Sequence, residues 1–244
     1  MNLLIDIGNT RIKSALDDGA QLTPVRSALW RQTDLPALFD SLWGRLDPQR
    51  VVVSNVAGSL IEQSLRDWSG KAFGHLPEFV KTAKKSGPLV CAYPDPTQLG
   101  IDRWVALQAA ITLSPAGVVV IDCGTATTVD LVTADRVHRG GAILPGIHTM
   151  RRALAGGTAN LDVDGGNTIA FANNTRDGIA GGTAYALAGA IDRLVNEGLQ
   201  IFDEAFFNVL TGGEAEQVRP LLKTQTTLEP DLVLLGLAEI TKRN

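Results

Sequence analysis

Short unbroken apolar runs alternate along this chain with longer stretches in which apolar positions recur every three or four residues. The first rhythm predicts buried strands and the second amphipathic helices. Leu3 to Ile7 reads as a buried strand. Arg11 to Leu16, the Asp17-Asp-Gly-Ala20 turn and Gln21 to Leu29 read as a hairpin, since Asp-Gly supplies the positive φ of a tight turn. Thr33 or Asp34 would cap a helix through Leu35, Leu38, Phe39, Leu42 and Leu46. Arg50 to Val56 predicts a second buried strand, Ser59 to Trp68 a helix, and Phe79 to Thr82 a short strand. This order fits a mixed sheet with helices on its faces.

A proline-rich stretch, Ser86 through Gly100, breaks the rhythm, and loops of this kind commonly carry function. Asp102 then opens a predicted helix with Trp104, Val105, Leu107, Ala110 and Ile111 on its apolar positions, ending near Ser114 to Gly117. From Val118 the pattern starts again. A strand is followed by a hairpin of Val129 to Thr133 and Val137 to Ile143 around Ala134-Asp135, and by a helix near His148 to Leu154. Thr175 to Asn196 is an alanine- and glycine-rich helical stretch. Phe206 to Leu210 is a strand ending in Thr211-Gly-Gly-Glu214, with a helix after it. Leu232 to Lys242 reads as a short strand running into a helix. The expected organisation is α/β, in two related halves, residues 1–115 and 116–244.

The restart extends to chemistry. Asp6-Ile-Gly-Asn-Thr-Arg-Ile-Lys13 follows the apolar run Asn2 to Ile5, and Asp122-Cys-Gly-Thr-Ala-Thr-Thr-Val129 follows Val118 to Ile121. The two aspartates stand close to half the chain apart. Two strand–turn–strand devices at that spacing suggest a duplicated fold, each half offering backbone N–H groups and hydroxyls to a phosphate-bearing ligand. Gly8 lets the backbone approach such a ligand, Asn9 and Thr10 donate, Lys13 adds charge, and Asp6 can serve a cation. Asp122, Gly124, Thr125 and Thr127 form the second set. Neither a Gly-x-x-x-x-Gly-Lys-[Ser/Thr] loop nor a Gly-x-Gly-x-x-Gly following a strand is present. Thr211-Gly-Gly-Glu214 either lets an adenosine lie against bare backbone or is an ordinary strand-to-helix turn.

In Tyr93-Pro-Asp-Pro-Thr-Gln-Leu-Gly-Ile-Asp-Arg103, Asp102 has two readings. It is either a helix cap, worth about 0.5–2 kcal/mol, or the carboxylate that a kinase needs beside an alcohol. Arg103 would pair with an anionic substrate or be a surface charge. His75, His138 and His148 lack metal-ligand spacing, and Cys91 and Cys123 read as packing residues with no base in sequence reach.

Composition narrows the field. Net charge is −4 with scattered Lys and Arg, which does not suit a nucleic-acid binder. No apolar run is long enough for a membrane span, and the early Asp6 predicts no secretory leader. Two cysteines make no disulfide framework, so a reduced, cytoplasmic protein is expected.

Four segments together resemble the type III pantothenate kinase family, in its order and spacing: Asp6-Ile-Gly-Asn-Thr-x-x-Lys13, Tyr93-x-x-Pro-x-x-Leu-Gly-x-Asp-Arg103, Asp122-x-Gly-Thr-Ala-x-Thr128 and Gly140-Gly-x-Ile-x-Pro-Gly146. The resemblance implies a duplicated ribonuclease-H-like (actin-like ATPase) fold with two mixed sheets flanked by helices. It also implies ATP-dependent phosphorylation of the primary hydroxyl of pantothenate, the first step of coenzyme A biosynthesis. By the same resemblance Asp102 is the general base or hydroxyl-orienting group, and Tyr93, Gly100, Ile101 and Arg103 line the pantothenate pocket. Asp6, Ile7, Gly8, Asn9, Thr10, Arg11, Ile12, Lys13 and Thr125 would hold ATP, with Asp6 near Mg²⁺, directly or through water. Asp122 would hold K⁺ or NH₄⁺. Thr175 would meet substrate across a homodimer interface, where the small-residue helix from 179 to 190 would pack. The stretch from Asn160 to Thr175, with Asp162, Asp164 and Gly165-Gly166, departs from the family pattern and leaves the substrate contacts after residue 150 open. The competing readings are a non-catalytic nucleotide-binding transcriptional accessory protein, and a related small-molecule kinase or phosphatase of the same superfamily.

Overall fold

The computed structural model describes residues 1–157 and 165–243. Asp162 and Asp164 lie outside the described residues. The chain divides into two compact units, Met1–Leu113 with Asp231–Asn244, and Ser114–Pro230.

In the first unit the apolar runs form β1 (Asn2–Ile7), β2 (Arg11–Asp17), β3 (Arg26–Leu29), β4 (Arg50–Asn55) and β5 (Glu78–Phe79), in the sheet order β3-β2-β1-β4-β5. β1 is antiparallel to β2 and parallel to β4. Alternation along β1 sends Leu3, Ile5 and Ile7 to one face, where Phe39 and Trp43 of α1 (Leu35–Trp43) and Ile61, Leu65 and Trp68 of α2 (Ser59–Ala72) cover them. Leu4, Ala15 and Val52 point the other way, against α3 (Ile101–Leu113) and α7 (Leu232–Thr241). Asp34 caps α1 by accepting from the Ala37 N–H at 3.2 Å, as one of the two predicted caps. Gly19, at φ +92°, makes the expected turn after β2, while only Arg26–Leu29 of the predicted return strand pairs along its length. The proline-rich stretch includes a two-strand hairpin, β6 (Lys85–Ser86) and β7 (Leu89–Val90), too short for periodicity to reveal.

The second unit repeats this topology with β8 (Gly117–Cys123), β9 (Ala126–Val132), β10 (His138–Pro145), β11 (Phe206–Thr211) and β12 (Thr227–Leu228), in the order β10-β9-β8-β11-β12. Again the central strand is antiparallel to the strand after it and parallel to the later one. Val119, Ile121, Cys123 and Val129 pack under Ala184, Leu187, Ala188, Ile191 and Val195 of α5 (Thr175–Phe202). α4 (Ile147–Gly157) follows β10, and α6 (Ala215–Val218) follows β11. Two mixed sheets flanked by helices, with one strand order used twice, are the expected α/β architecture.

The closing segment departs from expectation. Leu232–Thr241 is helical from its first residue, and the strand that precedes it, β12, ends earlier at Leu228. It belongs to the first unit, so a division into 1–115 and 116–244 assigns these residues to the wrong half. The reason is a close crossing of α7 on α3, where a Cβ on Gly236 would lie 1.9 Å from the Val105 carbonyl oxygen. Replacing Gly236 with Ala is therefore expected to destabilise the protein by about 1–3 kcal/mol, the cost of overpacking a filled contact. Urea unfolding would measure it, and an unchanged midpoint would contradict the close crossing.

Candidate active site

Each sheet carries an aspartate one residue before the end of its central strand. Across the first sheet, Lys13, Asp6 and Ser54 stand in one row of the register. Across the second, the row is Thr128, Asp122 and Thr211. The duplication thus preserves a carboxylate at one position and changes its neighbours, from a cation and a hydroxyl to two hydroxyls.

After Ile7 the chain reverses through Gly8–Arg11, closed by a Gly8 N–H to Arg11 carbonyl bond of 3.0 Å. Two residues that sequence reasoning missed pin this turn from outside. Trp30 Nε1 donates to the Gly8 carbonyl at 2.9 Å, and Arg31 Nε donates to the Asn9 carbonyl at 2.6 Å. The Arg31 guanidinium also lies 5.0 Å from the Trp30 ring centre. An aromatic–basic pair directly after a predicted strand was the available signal. Asn9, Thr10 and Arg11 are exposed, whereas Ile7 and Ile12 are sealed in the core and can offer a ligand only their backbone. Lys13 Nζ lies 3.4 Å from Asp231 at the start of α7. Ser54 Oγ is buried with no hydrogen-bond partner among the described residues.

The second turn is a residue shorter, closed by Gly124 N–H to the Ala126 carbonyl at 3.2 Å. Thr125 is exposed, and its carbonyl accepts from the Gly146 N–H at 3.2 Å and from Thr149 Oγ1 at 2.7 Å. Gly212, at φ +95°, is required by both conformation and space, because a Cβ there would lie 2.4 Å from Asp122 Oδ1. Cys123 is fully buried beside these groups. Its thiol is pushed up to about 12, first by burial and then by the negative charges of Asp122 and Glu214.

The proline-rich segment gathers five predicted residues. Asp95 caps the short helical turn Pro96–Gln98, and Thr82 Oγ1 holds the Leu99 carbonyl at 3.0 Å. The Gly100 carbonyl accepts from the Trp104 N–H, so α3 opens at Ile101 and not at Asp102. Asp102 lies in the first turn, where its carboxylate accepts from the Arg103 N–H at 2.8 Å, and a Cβ on Gly100 would lie 2.8 Å from Asp102 Oδ1. Arg103 is 8% exposed, and its guanidinium reaches the Tyr93 hydroxyl at 3.4 Å. Tyr93, Gly100, Ile101, Asp102 and Arg103 therefore form one constellation in the first unit. Thr175 belongs to the second unit, exposed at the first residue of α5 behind the Asn174 cap.

Small residues on α5 serve its own unit. Ala180, Ala184 and Ala188 are buried, and a Cβ on Gly181 would lie 1.9 Å from the Ile169 carbonyl. Gly178, Gly182 and Gly189 meet open space.

A family model described as type III pantothenate kinase matches residues 2–197. Among curated proteins, a type III pantothenate kinase of Alkalilimnicola ehrlichii is 38% identical, covering 99% of this chain and 98% of its own. One from Nitrosococcus oceani is 35% identical, covering 99% and 94%. Among solved structures, a conserved Campylobacter jejuni protein named for the Baf family of transcriptional activators superposes with a TM-score of 0.60 at 22% identity, covering 99% and 98%. Component A of the (R)-2-hydroxyglutaryl-CoA dehydratase of Acidaminococcus fermentans gives 0.59 at 16%, covering 99% and 96%. At these identities the structural likeness bears on the fold alone.

The raised Cys123 pKa has a sign that can be checked. Because the folded value lies above the ordinary 9.0, the thiol's contribution to stability is complete below about pH 9 and fades as pH climbs toward about 12. At pH 8 iodoacetamide is expected to leave Cys123 of the folded protein unmodified and to alkylate it in urea, as read by mass spectrometry. Equal labelling in both would contradict the buried, neutral thiol.

Proposed function

The chain belongs to the type III pantothenate kinase family and phosphorylates pantothenate with ATP in coenzyme A biosynthesis, and we propose that Asp102 receives the reacting hydroxyl. The observation that carries this role is the fixed placement of its carboxylate. Asp102 sits in the first turn of α3, tied to the Arg103 N–H, behind a glycine that leaves its oxygen room. A carboxylate so held can orient an alcohol and take its proton during in-line transfer. Arg103 and Tyr93, joined at 3.4 Å, would grip the carboxylate end of pantothenate, with Gly100 and Ile101 lining the pocket. Thr175 completes the substrate contacts from a second subunit.

In the first unit the turn from Gly8 to Arg11 is a proposed seat for ATP phosphate, with Lys13 supplying charge; in the second unit the Thr125 turn is likewise proposed to contact phosphate. The divalent cation proposed here rests on one protein carboxylate, Asp6. That suits Mg²⁺, which is commonly held by one or two carboxylates plus substrate phosphates. Asp6, beside the Ser54 hydroxyl that has no partner among the described residues, would hold it directly or through water, and the ion would neutralise developing charge on the transferred group. Asp122 is flanked in register by the hydroxyl residues Thr128 and Thr211, an oxygen-rich setting that fits K⁺ or NH₄⁺.

A homodimer belongs to the same proposal. Leu154, Ile169, Phe171 and Tyr185 leave large apolar side chains exposed in the second unit, Phe171 at 98%. A cytoplasmic location is proposed on the enzyme's substrates; among the described residues no helix is long and apolar enough to cross a membrane.

Asp102→Asn is expected to lower kcat by about 10²–10⁴-fold with folding intact, as expected when a general base is lost. Near-normal kcat would remove Asp102 from its role. Rates with K⁺ or NH₄⁺ should exceed those with Na⁺ alone, and equal rates in all three would remove the monovalent ion from Asp122.

A further inference from the structure

Three segments singled out in the sequence converge on one side chain that none of the roles above uses. Glu214 closes Thr211-Gly-Gly-Glu214, and its carboxylate accepts from the first N–H groups of α4, Ile147 at 2.8 Å and His148 at 3.1 Å. Its own backbone N–H donates to the Cys123 carbonyl at 2.8 Å. Meanwhile α4 reaches back to the Thr125 carbonyl through Gly146 N–H and Thr149 Oγ1. Space allows little else at this junction, since a Cβ on Gly146 would lie 2.2 Å from the Gly124 carbonyl and 3.0 Å from Glu214 Oε2.

A helix N-terminus exposes unpaired N–H groups and partial positive charge, which makes it a natural seat for phosphate. Here a carboxylate of the chain already takes that seat. One consequence follows from elementary electrostatics. An ATP phosphate cannot share those N–H groups with Glu214, so phosphate is directed to the Gly124–Thr125 side of the turn. The turn itself is tied to the end of β11 through the Glu214 N–H, and Glu214's carboxylate joins that same residue to the first turn of α4.

We propose that Glu214 is a positioning residue for ATP, fixing the Cys123–Thr125 turn by occupying the N-terminus of α4. This rests on the kinase reading of the site. Glu214→Gln keeps the size of the side chain but replaces one acceptor oxygen with an NH₂ that faces an N–H donor. Glu214→Asp keeps the charge and shortens the reach.

The test is calorimetric titration of ATP into wild type and both variants, with steady-state kinetics for both substrates alongside. For Glu214→Gln the ATP dissociation constant is expected to rise by about tenfold or more, the loss of a charge-assisted bond. The pantothenate KM should stay near wild type, and Glu214→Asp should fall between the two proteins. A purely structural role would lower the number of binding-competent molecules and the melting temperature while leaving the ATP dissociation constant unchanged, and that result would overturn the proposal. If Glu214→Gln does not fold, Glu214→Asp decides, and wild-type ATP affinity in it would overturn the proposal equally. Wild type that binds ATP but phosphorylates no pantothenate would defeat the kinase reading separately, with the Glu214 comparison still judged on ATP binding. Wild type that binds no ATP would overturn both.

Discussion

A carboxylate held one residue from the end of a central strand organises each unit. Asp6 and Asp122 are kept there by register, with an antiparallel partner on one side and a parallel partner on the other. A slip of one residue would carry the aspartate to the opposite face, in unit one the layer of Phe39, Trp43 and Trp68, and in unit two the layer of Ala184, Leu187 and Ile191. Burial of those apolar layers therefore fixes the polar row, and the row fixes where each turn begins. The two rows differ in what stands beside the acid. Lysine and serine flank Asp6, and two threonines flank Asp122. One architecture thus offers two different electrostatic environments.

Close backbone approach is the second constraint. Gly146, Gly212 and Gly236 each stand where a Cβ would come within 2.4 Å of a neighbouring oxygen. Side chains at these positions would force apart elements whose spacing sets the turns or the α3–α7 crossing. The first turn is held differently, by the Trp30 indole and the Arg31 guanidinium acting on carbonyl oxygens. Equivalent turns on equivalent strands have thus been secured by unrelated side chains, which is why their sequences match only in part.

Much of this could be read before any coordinates. The apolar runs ending at Ile5 and Ile121 marked the central strands, and the repeated Asp-x-Gly revealed the duplication because strand and turn chemistry are local. The Tyr93–Arg103 constellation was legible as a spacing. What escaped notice is non-local or very short. β6, β7 and β12 have two residues each, too few for a periodic signal. The membership of α7 in the first unit depends on Gly236 meeting Val105, more than a hundred residues earlier. Glu214 looked like the end of a turn, and its tie to α4 becomes visible only when Ile147 is brought to it.

The central claim is that this chain couples ATP cleavage to phosphorylation of pantothenate. The most direct measurement quantifies ADP and phosphopantothenate together, by chromatography and mass spectrometry, in reactions with and without pantothenate. The account predicts one ADP for each phosphopantothenate and almost no ADP when pantothenate is omitted. ADP release that does not depend on pantothenate, or no phosphopantothenate from folded protein with ATP, Mg²⁺ and K⁺, would contradict it.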